Sequence, residues 1–339
     1  MIERPKVTIL VPVYNSAAYV GQAIKSILDQ TFSNFELLII DDGSTDNSLE
    51  IINSFQDIRI RLLSNGLNKG LTYTRNKGIS EAFGEYLAFL DSDDVCDLNR
   101  ISIQCDFLDN NKAFAGCGGH AIIIDENGQA TGKILTCTNA TEIKSKLFFQ
   151  NTFVNSTMMI RTVIAKEFRF SSSFELAEDY DLWARISEKH TLTNLDKFLI
   201  SYRIHNNNIS IGSDSKSERL KVFVKIILKH RREKLNFDST QINDDIHTAL
   251  SSNSFSEYSL NDYHTFLVKA HQLNSKAGLY NTVHFNKMVL DYWFKVLMKS
   301  KQKNILSSFI YSELFEFKHC SLKQLRRLIK KSIKNTFQA

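Results

Sequence analysis

The sequence predicts an α/β fold, a mainly parallel sheet flanked by helices, with a helical region at the C-terminal end. Three observations carry that expectation. Short β-branched apolar runs alternate with amphipathic helical stretches through the first third of the chain. Carboxylates and turn residues gather at the ends of those runs. From about residue 214 helical spacing takes over and the charge balance changes sign.

The elements follow in order. Val7-Thr8-Ile9-Leu10-Val11 is a buried strand by its β-branched content. Residues 17–30 set Val20, Ala23, Ile24, Ile27 and Leu28 on one helical face. Residues 36–41 (ELLIID) form a second strand, 46–55 a helix, 59–63 a third strand, 71–83 a helix and 86–90 a fourth strand. Beyond residue 110 the pattern changes: 121–124 and 157–160 read as shorter strands, 178–189 as a helix and 198–203 as a final strand. The polar stretch 206–217 is the expected linker, which gives domains 1–213 and 214–339. Ligands of such sheets bind beyond the C-terminal strand ends. Asp41, Asp42, Asp91 and Asp93 all fall there.

Composition narrows the class. The 339 residues are 43% hydrophobic and 23% charged, which suits a packed globular chain. Five cysteines, widely spaced and without a CxxC pair, argue against a disulfide framework or structural zinc and for reduced thiols in the cytoplasm. The first apolar run is too short for a leader peptide, and no run reaches the ~18 residues of a spanning helix. Residues 1–213 hold 20 Lys and Arg against 26 Asp and Glu, a net of −6; residues 214–339 hold 22 against 11, a net of +11. The acidic part is a poor place for nucleic acid, and the basic part suits an anionic surface. Residues 321–335 put Leu322, Leu325, Leu328, Ile329 and Ile333 on one helical face and Lys and Arg on the other. Such a helix either lies on the inner face of a membrane as a peripheral contact or packs on its own domain or a second copy in a homo-oligomer.

Six constellations could carry chemistry. Asp91-Ser92-Asp93, just past a strand, can turn two acids toward one Mg²⁺ or Mn²⁺, or form a solvated turn. In Asp41-Asp42-Gly43-Ser44, Asp42 can accept from a base N–H or a ribose hydroxyl while Ser44 or Asp46 caps the next helix. In Pro12-Val13-Tyr14-Asn15, the proline is expected to end the ladder and Tyr14 to offer a flat face to a base. Asn68-Lys69-Gly70 precedes Arg75, whose guanidinium suits a diphosphate or a surface salt bridge. Glu178 and Asp179 open a helix, where the macrodipole favours acids in any case, and a carboxylate there can serve as a general base. His205 ends a strand in YRIH, as a metal ligand or a structural residue.

Taken in order, VPVYN, IIDDGSTD, NKGLTYTRNKG, FLDSDD, AEDYDLW and YRIH resemble the family 2 glycosyltransferases with the GT-A nucleotide-diphospho-sugar transferase fold, over roughly residues 6–210. Within them the chain is similar to bacterial enzymes that add β-linked N-acetylglucosamine or galactose to lipooligosaccharide, capsule or wall-polymer acceptors; residues 155–159 (NSTMM) and 177–179 (AED) share that pattern. The resemblance implies that Pro12, Tyr14, Asp42 and Asn68 hold the uracil and ribose of a UDP-sugar and that Arg75 meets the nucleotide or diphosphate. It implies that Asp91, Ser92 and Asp93 form a DxD motif with Asp93 the direct ligand of Mn²⁺ or Mg²⁺, that Asp179 is the catalytic base with Glu178 beside it, and that His205 is a further metal or diphosphate contact. The implied reaction is an inverting transfer to a hydroxyl of a saccharide or lipid-linked glycan. On that reading a divalent cation is what makes the crowded acids at 91–94 tolerable. No QxxRW motif is present, which argues against a processive synthase. Two alternatives stand beside it. Residues 91–95 also fit the D-x-D-x-V loop of haloacid-dehalogenase-like phosphatases, although three strands precede it here, and the chain could be a non-catalytic GT-A scaffold.

Overall fold

A computed structural model describes residues 4–174, 176–205, 214–255 and 257–337; the expected linker lies outside them from 206 to 213. The chain divides into two compact units, residues 1–143 with 152–220, and residues 144–151 with 221–339.

The first unit opens β1 (Val7–Val13), α1 (Val20–Leu28), β2 (Phe35–Asp41), α2 (Ser48–Asn53), β3 (Ile60–Ser64), α3 (Leu71–Glu81) and β4 (Tyr86–Phe89). It continues with β5 (Val95–Cys96), α4 (Arg100–Asn110), β6 (Phe114–Ile124), β7 (Ala130–Ile134), α5 (Ala140–Lys146), β8 (Met159–Arg161), α6 (Thr162–Phe168), α7 (Glu178–Lys189) and β9 (Thr191–Arg203). The sheet order is β3-β2-β1-β4-β8-β6-β9-β5, with β7 paired to β6. The first four strands run parallel, as the alternating pattern requires. Beyond β4 the sheet is mixed: β8 is antiparallel to both β4 and β6, while β9 returns parallel to β6. Every residue of β1 and β2 is buried, which is why both read as unbroken apolar runs. The expected strand at 157–160 divides into a 3-10 turn (Asn155–Thr157) and β8.

Pro12 behaves differently from expectation. It stays within β1, opposite Ile40 of β2, so that ladder does not end there. In a parallel strand alternate residues turn their N–H and C=O to opposite neighbours. Leu10 O accepts from Leu90 N, and Val13 O accepts from Asp42 N on the other side. Pro12 shares the parity of Leu10, so its missing donor faces β4, whose pairing with β1 ends at Leu10 and Phe89. Between those strands the order reverses, with β2 and β3 on one side of β1 and β4 on the other. A crevice opens at such a switch point, at the carboxyl ends of the strands.

The second unit is helical: it takes α8 (Asp214–Glu233) from residue 221 onward, then α9 (Gln241–Ser252), α10 (Leu260–Ala277), α11 (Thr282–Lys299), α12 (Ile305–Ile310) and α13 (Leu322–Phe337). Its helix starts are legible in sequence. Thr240 and Asn281 cap α9 and α11, and Ser259 with Asp262 forms a full capping box on α10. The core holds Phe148 and Phe149 with Leu250, Phe266, Phe285 and Trp293. His247 lies among these rings, and burial together with the Arg232 charge holds its pKa well below the usual histidine value. Among the described residues no helix is long and apolar enough to cross a membrane.

Gly43, just after β2, has φ +77°, and a Cβ there would lie 2.6 Å from the Leu67 backbone. Gly43→Ala is therefore expected to lower stability by about 2 kcal/mol, read as a fall in Tm against wild type. An unchanged Tm would mean that the turn is loose.

Candidate active site

Three turns meet at the carboxyl ends of β1, β2 and β4. Ser16 Oγ lies 2.7 Å from Ser92 Oγ, which joins the first turn to the DxD turn. Asn15 Oδ1 accepts from Thr45 N at 2.8 Å, and Asp46 Oδ2 accepts from Ala17 N at 3.0 Å, joining the first turn to the second. Asp46 also accepts from Ser48 N, the first residue of α2, whereas the N-cap position is Asn47, whose side chain makes no capping bond. Tyr14 stands 46% exposed beside this junction, free of the core and open to stacking.

Asp42 is turned inward. Its Oδ1 accepts from Asn65 Nδ2 at 2.8 Å and Lys69 N at 2.9 Å, and its Oδ2 accepts from Gly70 N at 2.9 Å. Asn68 Oδ1 shares that last donor at 3.0 Å. Asp42 and Asn68 thus shape one loop before α3, where Asn68 is exposed and Asp42 buried.

The acids after β4 each have an internal partner. Asp91 Oδ1 accepts from Arg75 Nη2 at 2.6 Å, and Arg75 Nη1 donates to Glu178 Oε1, also at 2.6 Å. Arg75 is 4% exposed, so its guanidinium is a buried link between β4 and α7 where sequence reasoning expected a diphosphate contact or a surface pair. Burial works against its charge, but Asp91 and Glu178 outweigh that and raise its pKa. Asp93 Oδ2 meets His205 Nε2 at 3.0 Å. Burial and then Asp91 raise the Asp93 pKa, and His205 opposes them. Asp94 Oδ1 accepts from Arg203 N at 2.9 Å. Burial and the two neighbouring acids push Asp94 well above the carboxylate range.

Arg203 and Tyr19 were missed in the sequence. Arg203 is buried at the end of β9, donating from Nε to Asp93 O at 2.9 Å and from Nη1 to Asp125 O at 3.1 Å. Its guanidinium lies 4.8 Å from the centre of the Tyr19 ring, and the His205 ring lies 4.8 Å from the same ring. Residues 203 and 205 share one side of an extended chain. Arg203 therefore holds the Asp93 main chain while His205 meets its side chain. The signal was present in YRIH, two residues before the histidine.

Asp179 is part-buried at the start of α7 and accepts from Tyr180 N. Burial and then the Glu178 charge push its pKa up to about 7, against the opposing pull of Arg75. A carboxyl poised there can exchange protons near neutrality. Among the described residues no three His, Cys, Asp or Glu side chains form a metal cage. A cation that takes one or two carboxylates and completes its shell from phosphate needs no such cage.

Removing the central cation should be costly. Arg75→Met would leave Glu178 buried without its partner, and a broken buried pair costs about 3 kcal/mol or more. Urea denaturation of Arg75→Met, and of Arg75→Met with Glu178→Gln, reads this. The double variant is expected to recover part of the loss, because no unpaired carboxylate is then buried at residue 178.

Comparison with known proteins identifies the family. A family model described as glycosyl transferase family 2 matches residues 8–169. An uncharacterised glycosyltransferase of Haemophilus influenzae is 27% identical over 343 residues, covering 97% of each chain. The Escherichia coli UDP-Glc:alpha-D-GlcNAc-diphosphoundecaprenol beta-1,3-glucosyltransferase WfgD is 33% identical over 208 residues, 60% of this chain and 79% of that one. Three uncharacterised glycosyltransferases of Rickettsia are longer, and the chain spans about a third of their length. S. aureus TarS 1–349, solved in complex with UDP-GlcNAc, superposes with a TM-score of 0.52 at 18% identity, over 98% of this chain and 92% of that one, which is a likeness of fold. Neither the phosphatase nor the non-catalytic alternative is favoured by these matches. On the family match and the E. coli relative, the chain is a glycosyltransferase of the GT-A fold and belongs to glycosyl transferase family 2.

Proposed function

We propose that the protein transfers a sugar, N-acetylglucosamine before galactose or glucose, from a UDP-sugar to a hydroxyl of a saccharide or lipid-linked surface glycan, with inversion. The observation that carries this reading is the Arg75 link: one guanidinium touches both the DxD carboxylate Asp91 and Glu178, the neighbour of Asp179. Donor-end and acceptor-end chemistry then lie at the two sides of one side chain. The WfgD relative, named for a UDP-Glc donor and a diphosphoundecaprenol-linked acceptor, supports a UDP-sugar and a lipid-linked substrate.

In this reading Tyr14 stacks on the uracil, with Pro12 at the crevice edge, and the loop held by Asp42 and Asn68 frames the ribose. Asp179 takes the proton of the acceptor hydroxyl as that oxygen bonds to the anomeric carbon. The bond from that carbon to the diphosphate oxygen breaks on the opposite face, and UDP leaves with its electron pair. Arg75 holds Glu178 in place, and the Glu178 charge keeps Asp179 basic enough to accept the proton. Asp93, with Asp91 and His205, would hold a Mn²⁺ or Mg²⁺ that offsets negative charge on the departing diphosphate. A lipid-linked acceptor would place the enzyme at the cytoplasmic face of a membrane.

Product analysis with UDP-GlcNAc, UDP-Gal and UDP-Glc tests the proposal, with NMR of the new linkage. A β-glycoside from an α-linked donor is expected; an α-glycoside would overturn the inverting step. Asp179→Asn should lower turnover by ~10²–10⁴ and leave UDP affinity nearly unchanged, since a base acts on the transition state. Loss of UDP binding in that variant would reassign Asp179 to the donor site. The base must be deprotonated, so kcat/KM should fall as pH drops through about 7. Glu178→Gln removes a neighbouring negative charge, lowers the Asp179 pKa and should move that limb to lower pH. Calorimetry of UDP should show weaker binding in EDTA than with Mn²⁺, and Asp93→Ala should remove the difference.

A further inference from the structure

The helix α13 (Leu322–Phe337) is docked along one flank only. Leu328 is fully buried in the core of the second unit, and Leu325 packs against the same core. Gln324 Nε2 donates to Asp291 Oδ1 at 2.7 Å, Ser332 Oγ to Lys303 O at 2.6 Å and Asn335 Nδ2 to Gln302 O at 2.7 Å. These five residues form one sector of the helix. The sequence-based expectation of a single apolar face is therefore divided: Leu325 and Leu328 are packed, while Leu322, Ile329 and Ile333 are 68%, 43% and 52% exposed.

The exposed three are spaced i, i+7 and i+11, which is a single stripe along the axis. Lys323, Lys330 and Lys334 repeat that spacing one residue further on, and Arg326 lies between the two stripes. Residues 321–337 contain no acid. Among the described residues none of these four cations forms an ion pair. An apolar stripe bordered by unpaired cations with long stems is the arrangement that lies in a bilayer interface, leucine and isoleucine inward and ammonium groups at the phosphates.

We propose that the free flank of α13 docks on an anionic lipid surface. Nucleic acid would satisfy the cations but leave the apolar stripe against phosphate and water. A second copy of the helix would cover the stripe but set like charges against one another. An anionic bilayer satisfies both. The proposal rests on this flank alone and holds whichever sugar the first unit transfers.

Co-sedimentation of the full chain with neutral phosphatidylcholine vesicles and with vesicles containing phosphatidylglycerol tests it. Binding at least tenfold tighter to the anionic vesicles is expected, and it should weaken in high salt. Lys330→Glu with Lys334→Glu should reduce that affinity twentyfold or more, given about fivefold per cation at the surface. Ile329→Ser with Ile333→Ser should also reduce it, since the stripe inserts. Thermal unfolding and transfer to a water-soluble acceptor should be unchanged in both variants, which separates failure here from failure of the catalytic reading. Equal binding to both vesicle types, no binding, or wild-type binding by the Ile variants would overturn the proposal. So would a dimer that the Ile variants dissociate without any effect on vesicles, which would assign the stripe to a second copy.

Discussion

A buried guanidinium between two carboxylates fixes the charged end of the first unit. Arg75 reaches Asp91, just beyond β4, and Glu178, at the start of α7, with nearly no exposure to water. Burying any one of these charges alone would cost several kcal/mol, so each partner constrains the others. The constraint is geometric as well as energetic. A guanidinium offers a planar fork, and two carboxylates at its two ends have little freedom in position. The end of a strand and the start of a helix, far apart in sequence, are thereby held in one arrangement.

The same logic explains why so many acids follow β4. A divalent cation is one way to make such crowding tolerable, but the protein already contains a partner for each acid. Arg75 meets Asp91, His205 meets Asp93, and the backbone N–H of Arg203 meets Asp94. These partners offset the crowding only in part, since burial and mutual repulsion still push Asp93 and Asp94 up. A cation arriving with phosphate would compete with or share these internal partners.

Much of the first unit was legible because β1, β2 and β4 are buried throughout and α1 buries one apolar face. α4 was missed for a physical reason: Arg100 and Gln104 lie on its inward side. Arg100 donates to Phe89 O, and Gln104 donates to Cys117 O and Thr157 O, so buried polar groups break the apolar period. β6 begins at Phe114, well before the expected residue 121, because its glycines resemble a loop. A Cβ on Gly118 would lie 2.6 Å from Asn194 Oδ1, so the glycine there marks close packing. β9 is long for a similar reason, its first half being polar and its pairing set by β6. At the site, the acids could be read from the sequence. Their pairings could not, since Arg75 with Glu178 and Arg203 with Asp93 meet across the fold, which no local pattern encodes even where each residue stands in a noted motif.

The second unit takes residues 144–151 from the middle of the chain, and with them Phe148 and Phe149. Those two rings pack with His247, Tyr280, Phe285 and Tyr292, all of which lie much later in the sequence. On the ribosome, then, the two phenylalanines emerge long before their neighbours exist. At ordinary rates of synthesis they wait on the order of ten seconds or more. During that interval they are a pair of exposed aromatic side chains on a nascent polypeptide, the kind of surface that chaperones bind. The interleaved connectivity also means that a fragment cut near residue 220 would leave both rings without their core, and the remaining helices would lack two of its largest members.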